Sequence, residues 1–358
     1  MQTMDPRPTA SRSIVQALAA AALFGISTPL AKLLVGTVPP VFLAGLLYAG
    51  SGAGLSLWLL LRRLRRVPAP EAPLRRQDLP WLAGAILSGG LLGPVLLLFG
   101  LVHTPASTAS LLLNLEVVFT ALLAWLVFRE NAGRRVLAGM AAIVGAGLIL
   151  SWRGSWSGGI PWSALAIAGA CLCWAIDNNL TRVIAGADPV HIAALKGGVA
   201  GAVNIAIAIG MGNPVPAVLP VLATAALGCA GYGISLVLFV LALRGLGTAR
   251  TSAYFATAPF LGTGVSLLIF LQHPDASFWA AGALMALGVW LHLGERHTHW
   301  HVHEALVHEH PHRHDAHHRH AHDFPWDGSE PHTHPHAHER LEHCHAHVPD
   351  LHHRHRHR

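Results

Sequence analysis

The chain has 358 residues, 53% of them hydrophobic and only 12% charged, with a formal charge of +6. A soluble domain carries about 25% charged residues, so this composition points to a polytopic membrane protein rather than a soluble one. The positive balance is no mark of nucleic-acid binding, because the arginines sit in short loops between apolar runs, a topogenic pattern. The polar start, residues 1–13, is read as a cytoplasmic N-terminus leading into a retained helix, since no convincing cleavage site follows it. Apolar runs long enough to cross ~30 Å of hydrocarbon fall near 14–35, 41–61, 79–102, 106–128, 135–152, 161–184, 190–210, 215–243, 249–271 and 277–293. The expected fold is an all-α membrane protein of ten transmembrane helices. It divides into 14–152, 161–293 and a polar tail, 294–358, expected to be disordered without metal. The final residues hold 23 of the 27 histidines.

Loop charge sets the orientation. Arg62, Arg63, Arg65, Arg66, Arg75 and Arg76 lie between the second and third runs, and Arg129, Arg134 and Arg135 follow the fourth. Arg182, Arg244 and Arg250 fall on the same side, and Arg153 is the exception. The positive-inside rule then places both termini, and the tail, in the cytoplasm of a cell whose inner membrane the chain spans. Cys171, Cys173, Cys229 and Cys344 suggest no disulfide framework.

The two halves resemble each other. "FGISTPLAKLLVGTVP" (24–39) aligns without gaps to "WAIDNNLTRVIAGADP" (174–189), matching Gly36 with Gly186 and Pro39 with Pro189. "TPASTASLLLNLEVVFTALLAWLVFREN" (104–131) aligns to "GTARTSAYFATAPFLGTGVSLLIFLQHP" (247–274), and in that register Gly139 meets Gly282 and Gly145 meets Gly288. Each unit has five helices, an odd number, so the two insert in opposite senses. Inverted repeats of this kind mark secondary transporters with a site near the midplane.

The stretch "ASLLLNLEVVFTALLAWLVFREN", followed by "GMAAIVGAGLIL", resembles the EamA-type family of the drug/metabolite transporter superfamily, and the resemblance covers residues 14–293. It implies ten helices around a central cavity and export of metabolites or drugs, without identifying the cargo. The second unit departs from the pattern, because the position of Glu130 is occupied by His273, and the tail lies outside the pattern.

A charge in mid-membrane costs roughly 2.5–3.5 kcal/mol on insertion scales, and three positions carry one: Glu116, Asp177 and Lys196. Asp177 and Lys196 fall at one depth on neighbouring antiparallel helices, which predicts an ion pair. Such a pair either joins two helices or forms a polar patch for a zwitterionic cargo or for protons. Asn178 and Asn179 follow Asp177 and add amide groups; Asn114 precedes Glu116, which is a candidate coupling carboxyl. Its aligned partner is Pro259, a helix breaker. Pro29, Pro94 and Pro259 are predicted kinks. Lys32 lies at a membrane end, where snorkelling accounts for it. Tyr48, Trp81, Trp152, Trp156, Trp162 and Trp279 are assigned to interfacial belts, and Trp174 and Tyr254 lie deeper.

In the tail, clusters of His-x-His occur at His297, His299, His301 and His303, at His308, His310, His312 and His314, at His332, His334, His336 and His338, and at His343, His345 and His347 beside Cys344. Neutral imidazole is a ligand for Zn, Ni, Co or Cu, so the tail is expected to bind divalent transition metal. Three roles for the whole chain follow. One is an exporter of a small organic solute whose tail buffers or senses metal. A second is an efflux system for Ni, Co, Zn or a metal chelate, and the third a membrane-anchored metal store or sensor. Lipid, a small-molecule substrate and metal ions are the expected partners, no cofactor is required, and no nucleophile–base arrangement points to an enzyme.

Overall fold

A computed structural model of the chain describes residues 7–65, 74–127, 134–151, 161–184 and 187–293, and the strand backbones at 297–303, 306–312, 332–338 and 341–347. Arg66, Arg129, Glu130, Arg153, Trp152, Trp156 and the side chains of the tail lie outside the described residues. In hydrocarbon every backbone N–H and C=O needs an internal partner, and the described membrane part is accordingly helical apart from short turns and interruptions. The helices are α1 (Arg7–Val35), α2 (Pro40–Leu64), α3 (Leu79–Ala85), α4 (Gly93–His103), α5 (Ala106–Leu112), α6 (Leu115–Leu126) and α7 (Arg134–Ser151). The second half has α8 (Trp162–Ile184), α9 (Pro189–Gly210), α10 (Val218–Gly228), α11 (Ser235–Phe255), α12 (Ala258–Phe270) and α13 (Ala276–Leu293). Against the ten spans expected, eight helical segments among the described residues are long and apolar enough to cross a membrane. The ninth and tenth expected runs correspond to the shorter apolar helices Ala258–Phe270 and Ala276–Leu291. The ninth is short because helical backbone continues through the expected loop at 244–248 and is interrupted only at Ala256 and Thr257.

The repeat is written into the backbone irregularities. A π-helical segment, Ile86–Leu92, joins α3 to α4, and a second, Cys229–Ile234, joins α10 to α11 at the aligned position. Leu113 and Asn114 interrupt the fourth run, and Ala256 and Thr257 interrupt its mate. Both interruptions are closed by tight i→i+3 bonds: Asn114 N–H to Leu111 and Val117 N–H to Asn114, then Thr257 N–H to Tyr254 and Phe260 N–H to Thr257. Packing obeys the same pairing. α2 packs on its mate α9 and α7 on its mate α13; α1 packs on α11 and α12, while its mate α8 packs on α4 and α6.

Small residues let the central helices touch. A Cβ placed on Gly197 of α9 would lie 2.8 Å from the Tyr48 carbonyl of α2, and one on Gly201 would meet Ala49. Without a hydrophobic drive between helices in lipid, such close backbone contact is what holds them together. The largest buried cluster lies here, with Leu43, Leu47, Leu97, Leu98, Ile167 and Ile192 almost inaccessible. Trp58, Trp81, Trp162, Trp279 and Trp290 are exposed at the periphery.

The described tail backbone is extended. β1 (His297–His303) pairs antiparallel with β4 (Leu341–His347), and β2 (Leu306–His312) pairs with β3 (His332–His338). The register sets His299 opposite His345, His301 opposite His343 and His310 opposite His334. Strict two-residue alternation is the strand period, and the tail's histidine-every-second-residue segments follow it.

Candidate functional site

The site begins with a proline. Pro94 follows the π-helical segment and has no N–H to donate, which frees carbonyls one turn back. Those carbonyls find side chains from three other helices. The Gly90 carbonyl accepts from Asn204 Nδ2 of α9 at 3.2 Å. The Gly89 carbonyl accepts both the Tyr48 hydroxyl of α2, at 2.6 Å, and the Trp174 indole N–H of α8, at 3.1 Å. Gly89 and Gly93 have no side chains to block this approach: a Cβ on Gly93 would sit 2.9 Å from the Trp174 nitrogen, and one on Gly89 would overlap the Asp177 carboxylate.

Beside this junction the three intramembrane charges meet. Lys196 Nζ donates to Asp177 Oδ2 in an ion pair, with both side chains almost wholly buried. Thr181 donates to the other Asp177 oxygen at 3.0 Å. Glu116, just past the interruption between α5 and α6, accepts from Asn178 Nδ2 at 2.6 Å. Among the described residues no lysine, arginine or histidine forms an ion pair with Glu116. The helix interruption aims this carboxylate from α6 toward α8, while Asp177 faces α9, so the two acids take separate partners.

Glu116, Asp177, Asn178 and Lys196 all line one cavity that opens to the outside. The rest of its wall is largely aromatic: Phe24, Tyr48, Trp174, Tyr232, Phe239 and Phe255. The rings form one connected set, with centroids 5.8 Å apart for Phe24 and Trp174, 5.4 Å for Tyr48 and Tyr232, and 4.9 Å for Phe239 and Phe255. Ala193, in the second turn of α9, and Phe239 carry the lining toward the arginine-bearing side.

Other expected residues fall elsewhere. Asn114 is fully buried, donating to the Leu111 carbonyl at 3.0 Å and touching Met285 of α13, and Asn179 donates to Ala175 at 2.8 Å; neither lines the cavity. Pro29 remains inside continuous α1, whereas Pro94 and Pro259 open the segments α4 and α12. Lys32 does more than snorkel, since its ammonium donates to the Leu101 and Val102 carbonyls at the C-terminus of α4. Tyr48, assigned to an interface, is instead a buried wall of the cavity, because the freed Gly89 carbonyl draws its hydroxyl inward. Tyr254 packs beside Ala17 and Leu246, away from the cavity. Phe24, Tyr232, Phe239, Phe255 and Asn204 carried no sequence signal that separated them from ordinary packing residues.

The EamA-like transporter family model matches residues 11–152 and again 161–294. The chain belongs to the EamA-like transporter family. It is therefore a membrane transporter built from two copies of one unit, and the histidine-rich tail begins where the second copy ends. A protein described as an uncharacterized transporter, from Methanothermobacter thermautotrophicus (strain Delta H), is 27% identical over 293 residues, covering 77% of this chain and 84% of its own. A protein of known crystal structure superposes with a TM-score of 0.58 at 21% identity, covering 78% of this chain and 94% of that one, which is a likeness of fold alone.

Proposed function

We propose that this EamA-like transporter is a secondary transporter that exports a small organic solute across a bacterial inner membrane. Its binding site is the aromatic cavity, and Glu116 is the group through which movement of the solute couples to protons. The observation that carries this reading is the meeting, at a helix interruption, of a carboxylate that forms no ion pair among the described residues and a buried ion pair, all on one cavity wall. Intramembrane ionisable groups that face a cavity mark substrate and proton pathways, and sites at interrupted helices between repeats are where secondary transporters bind. Loop arginines support a cytoplasmic position for the arginine-bearing side, and the cavity lining reaches toward it.

The test is solute flux into vesicles reconstituted with the purified chain, across a panel of amines, amino acids and organic acids. Glu116→Gln removes titration and keeps shape; Asp177→Asn breaks the ion pair. Both variants are expected to lose most flux between pH 5 and 8. Wild-type rates in both across that range would remove Glu116 and Asp177 from the pathway.

The tail is a separate proposal: it binds divalent transition metal in the cytoplasm and buffers or senses it. The support is its 23 histidines and a strand register that sets histidine opposite histidine at His297 and His347, His308 and His336, and His312 and His332. Directly opposite residues have Cβ atoms about 4.5–5.5 Å apart, a spacing suited to shared ligation. Truncation after Gly294 is expected to abolish most Zn or Ni binding while solute flux survives. Undiminished metal binding in the truncated chain would move attention to the membrane residues.

A further inference from the structure

The two ends of the bundle differ, although the repeat makes them equivalent. At the end opposite the loop arginines, α4 stops at His103 and Thr104 turns to extended backbone. The last carbonyls of a helix have no partner within it. Here the Leu101 and Val102 carbonyls accept from the Lys32 ammonium of α1, the second at 3.1 Å. α1 also packs on α4 and α5, and the Ser107 hydroxyl of α5 donates to Gln272, just past α12, at 2.5 Å. In the repeat, Lys32 matches Arg182 of α8, while Leu101 and Val102 match Arg244 and Gly245 of α11. At that mirrored end, on the arginine side, no comparable packing joins α8 to α11 among the described residues. The cavity wall runs into this half through Asp177, Asn178, Ala193 and Phe239. α11 also doubles back there. Phe239 and Phe255 would stand ~24 Å apart along a straight helix, yet their ring centroids are 4.9 Å apart. Gly245 and Gly247 lie between them, and a sharp kink at glycine opens helix hydrogen bonds.

The structure assigns to Lys32 and Arg182 a shared part in transport: each is a latch that caps freed carbonyls of a neighbouring helix, and the two close in turn. With Lys32 on the Leu101 and Val102 carbonyls, the far end is shut and the cavity is reached from the arginine side. With Lys32 released, Arg182 caps the carbonyls of Arg244 and Gly245, α8 closes on α11, and the cavity is reached from the far end. The assignment rests on the reading of the cavity as the transport path and adds two positioning residues to it. A basic side chain suits both places, because a cation is favoured at the C-terminal end of a helix and its hydrogen bonds are charge-assisted. Carbonyls are neutral, so a latch on them holds less tightly than a buried ion pair and can release within a transport cycle.

The test uses two spin-label pairs in the full chain, its four native cysteines replaced by serine. Leu33→Cys with Val102→Cys, at two exposed positions, reports the far end, and Val183→Cys with Leu243→Cys reports the arginine side. Distances are read by double electron–electron resonance in reconstituted bilayers. Each pair is expected to show a short and a long population, the far end short where the arginine side is long. Lys32→Met is expected to raise the ratio of long to short at the far end about tenfold, which is 1.4 kcal/mol, and to lower it at the arginine side. Arg182→Met is expected to shift both pairs the opposite way, and Lys32→Arg, which keeps a charged donor, to leave the populations as in the wild type. If Lys32→Met yields no folded protein, Arg182→Met and Lys32→Arg decide. Unchanged populations in the methionine variants overturn the assignment. So does widening of the altered end alone, which would make each residue a local tether. Opposite shifts uphold the latches even where Glu116→Gln and Asp177→Asn keep full flux, a result that removes only the cavity reading.

Discussion

At the scale of single residues, the molecule separates two kinds of buried charge. Asp177 and Lys196 neutralise each other on neighbouring helices, and removing one partner of such a pair strands the other at about 3–5 kcal/mol. Asp177→Asn and Lys196→Met are each expected to lower thermal stability in detergent sharply, and the double variant less than either alone. Additive losses would show that the two side chains are independent. A second ionic cluster caps the start of α9 outside the membrane part: Arg62 bonds Asp188 at 2.7 Å, and His191 approaches it at 3.2 Å. Burial of Asp188 raises its pKa, but Arg62, the Val190 N–H and His191 outweigh it and hold it below the usual aspartate value. A carboxyl with a lowered folded pKa stabilises above its unfolded value of ~3.9, and that contribution is lost as pH falls through the lower folded value. Asp188→Asn keeps a capping acceptor and loses the charge, so it is expected to cost about 1–3 kcal/mol at pH 5 to 8, with the gap from wild type closing below about pH 4. A gap that persists at lower pH would assign the effect to packing. The three membrane charges were legible in the sequence because charge in an apolar run is conspicuous. Asn204 was not legible, because its purpose depends on a carbonyl freed by a proline on another helix.

Elements carry the next layer. The sequence repeat foretold that Glu116 and Pro259 occupy equivalent places, and the structure interrupts the helix just before each. The paired π-helical segments were not legible, since nothing in "ILSGGLL" or "CAGYGI" marks the π form beyond small residues. Asn204→Ala leaves the Gly90 carbonyl without its donor and is expected to cost about 1–3 kcal/mol. Pro94→Ala returns a backbone N–H near that carbonyl, so Pro94→Ala with Asn204→Ala should be less destabilised than Asn204→Ala alone. Equal losses would show that Asn204 acts through packing. At the centre of the bundle, Gly197→Val should separate α2 from α9 and prevent accumulation of folded protein, because the added carbons meet the Tyr48 carbonyl and Gly52. Normal yield and thermal stability would contradict the close contact. The ninth of the ten apolar runs forms the shorter helix Ala258–Phe270 among the described residues, because hydropathy locates apolar residues and not the interruption at Ala256 and Thr257.

For the whole molecule, two copies of one unit place their interruptions, their π-helical segments and their helix contacts in matching positions, with the cavity between them. Family and repeat were visible in the sequence through Gly, Pro and apolar pattern. The aromatic character of the cavity was not, since Phe24, Tyr48, Tyr232 and Phe255 come from distant segments that only folding unites. The central claim is that this cavity is the transport path. Its most direct test is a single cysteine at Ser235, on the cavity wall, in a chain whose four native cysteines are replaced by serine. A membrane-impermeant thiol reagent is applied to each side of reconstituted vesicles in turn. Modification is predicted from both sides, slowed by the transported solute and abolishing flux. Full modification with flux unchanged would contradict the account.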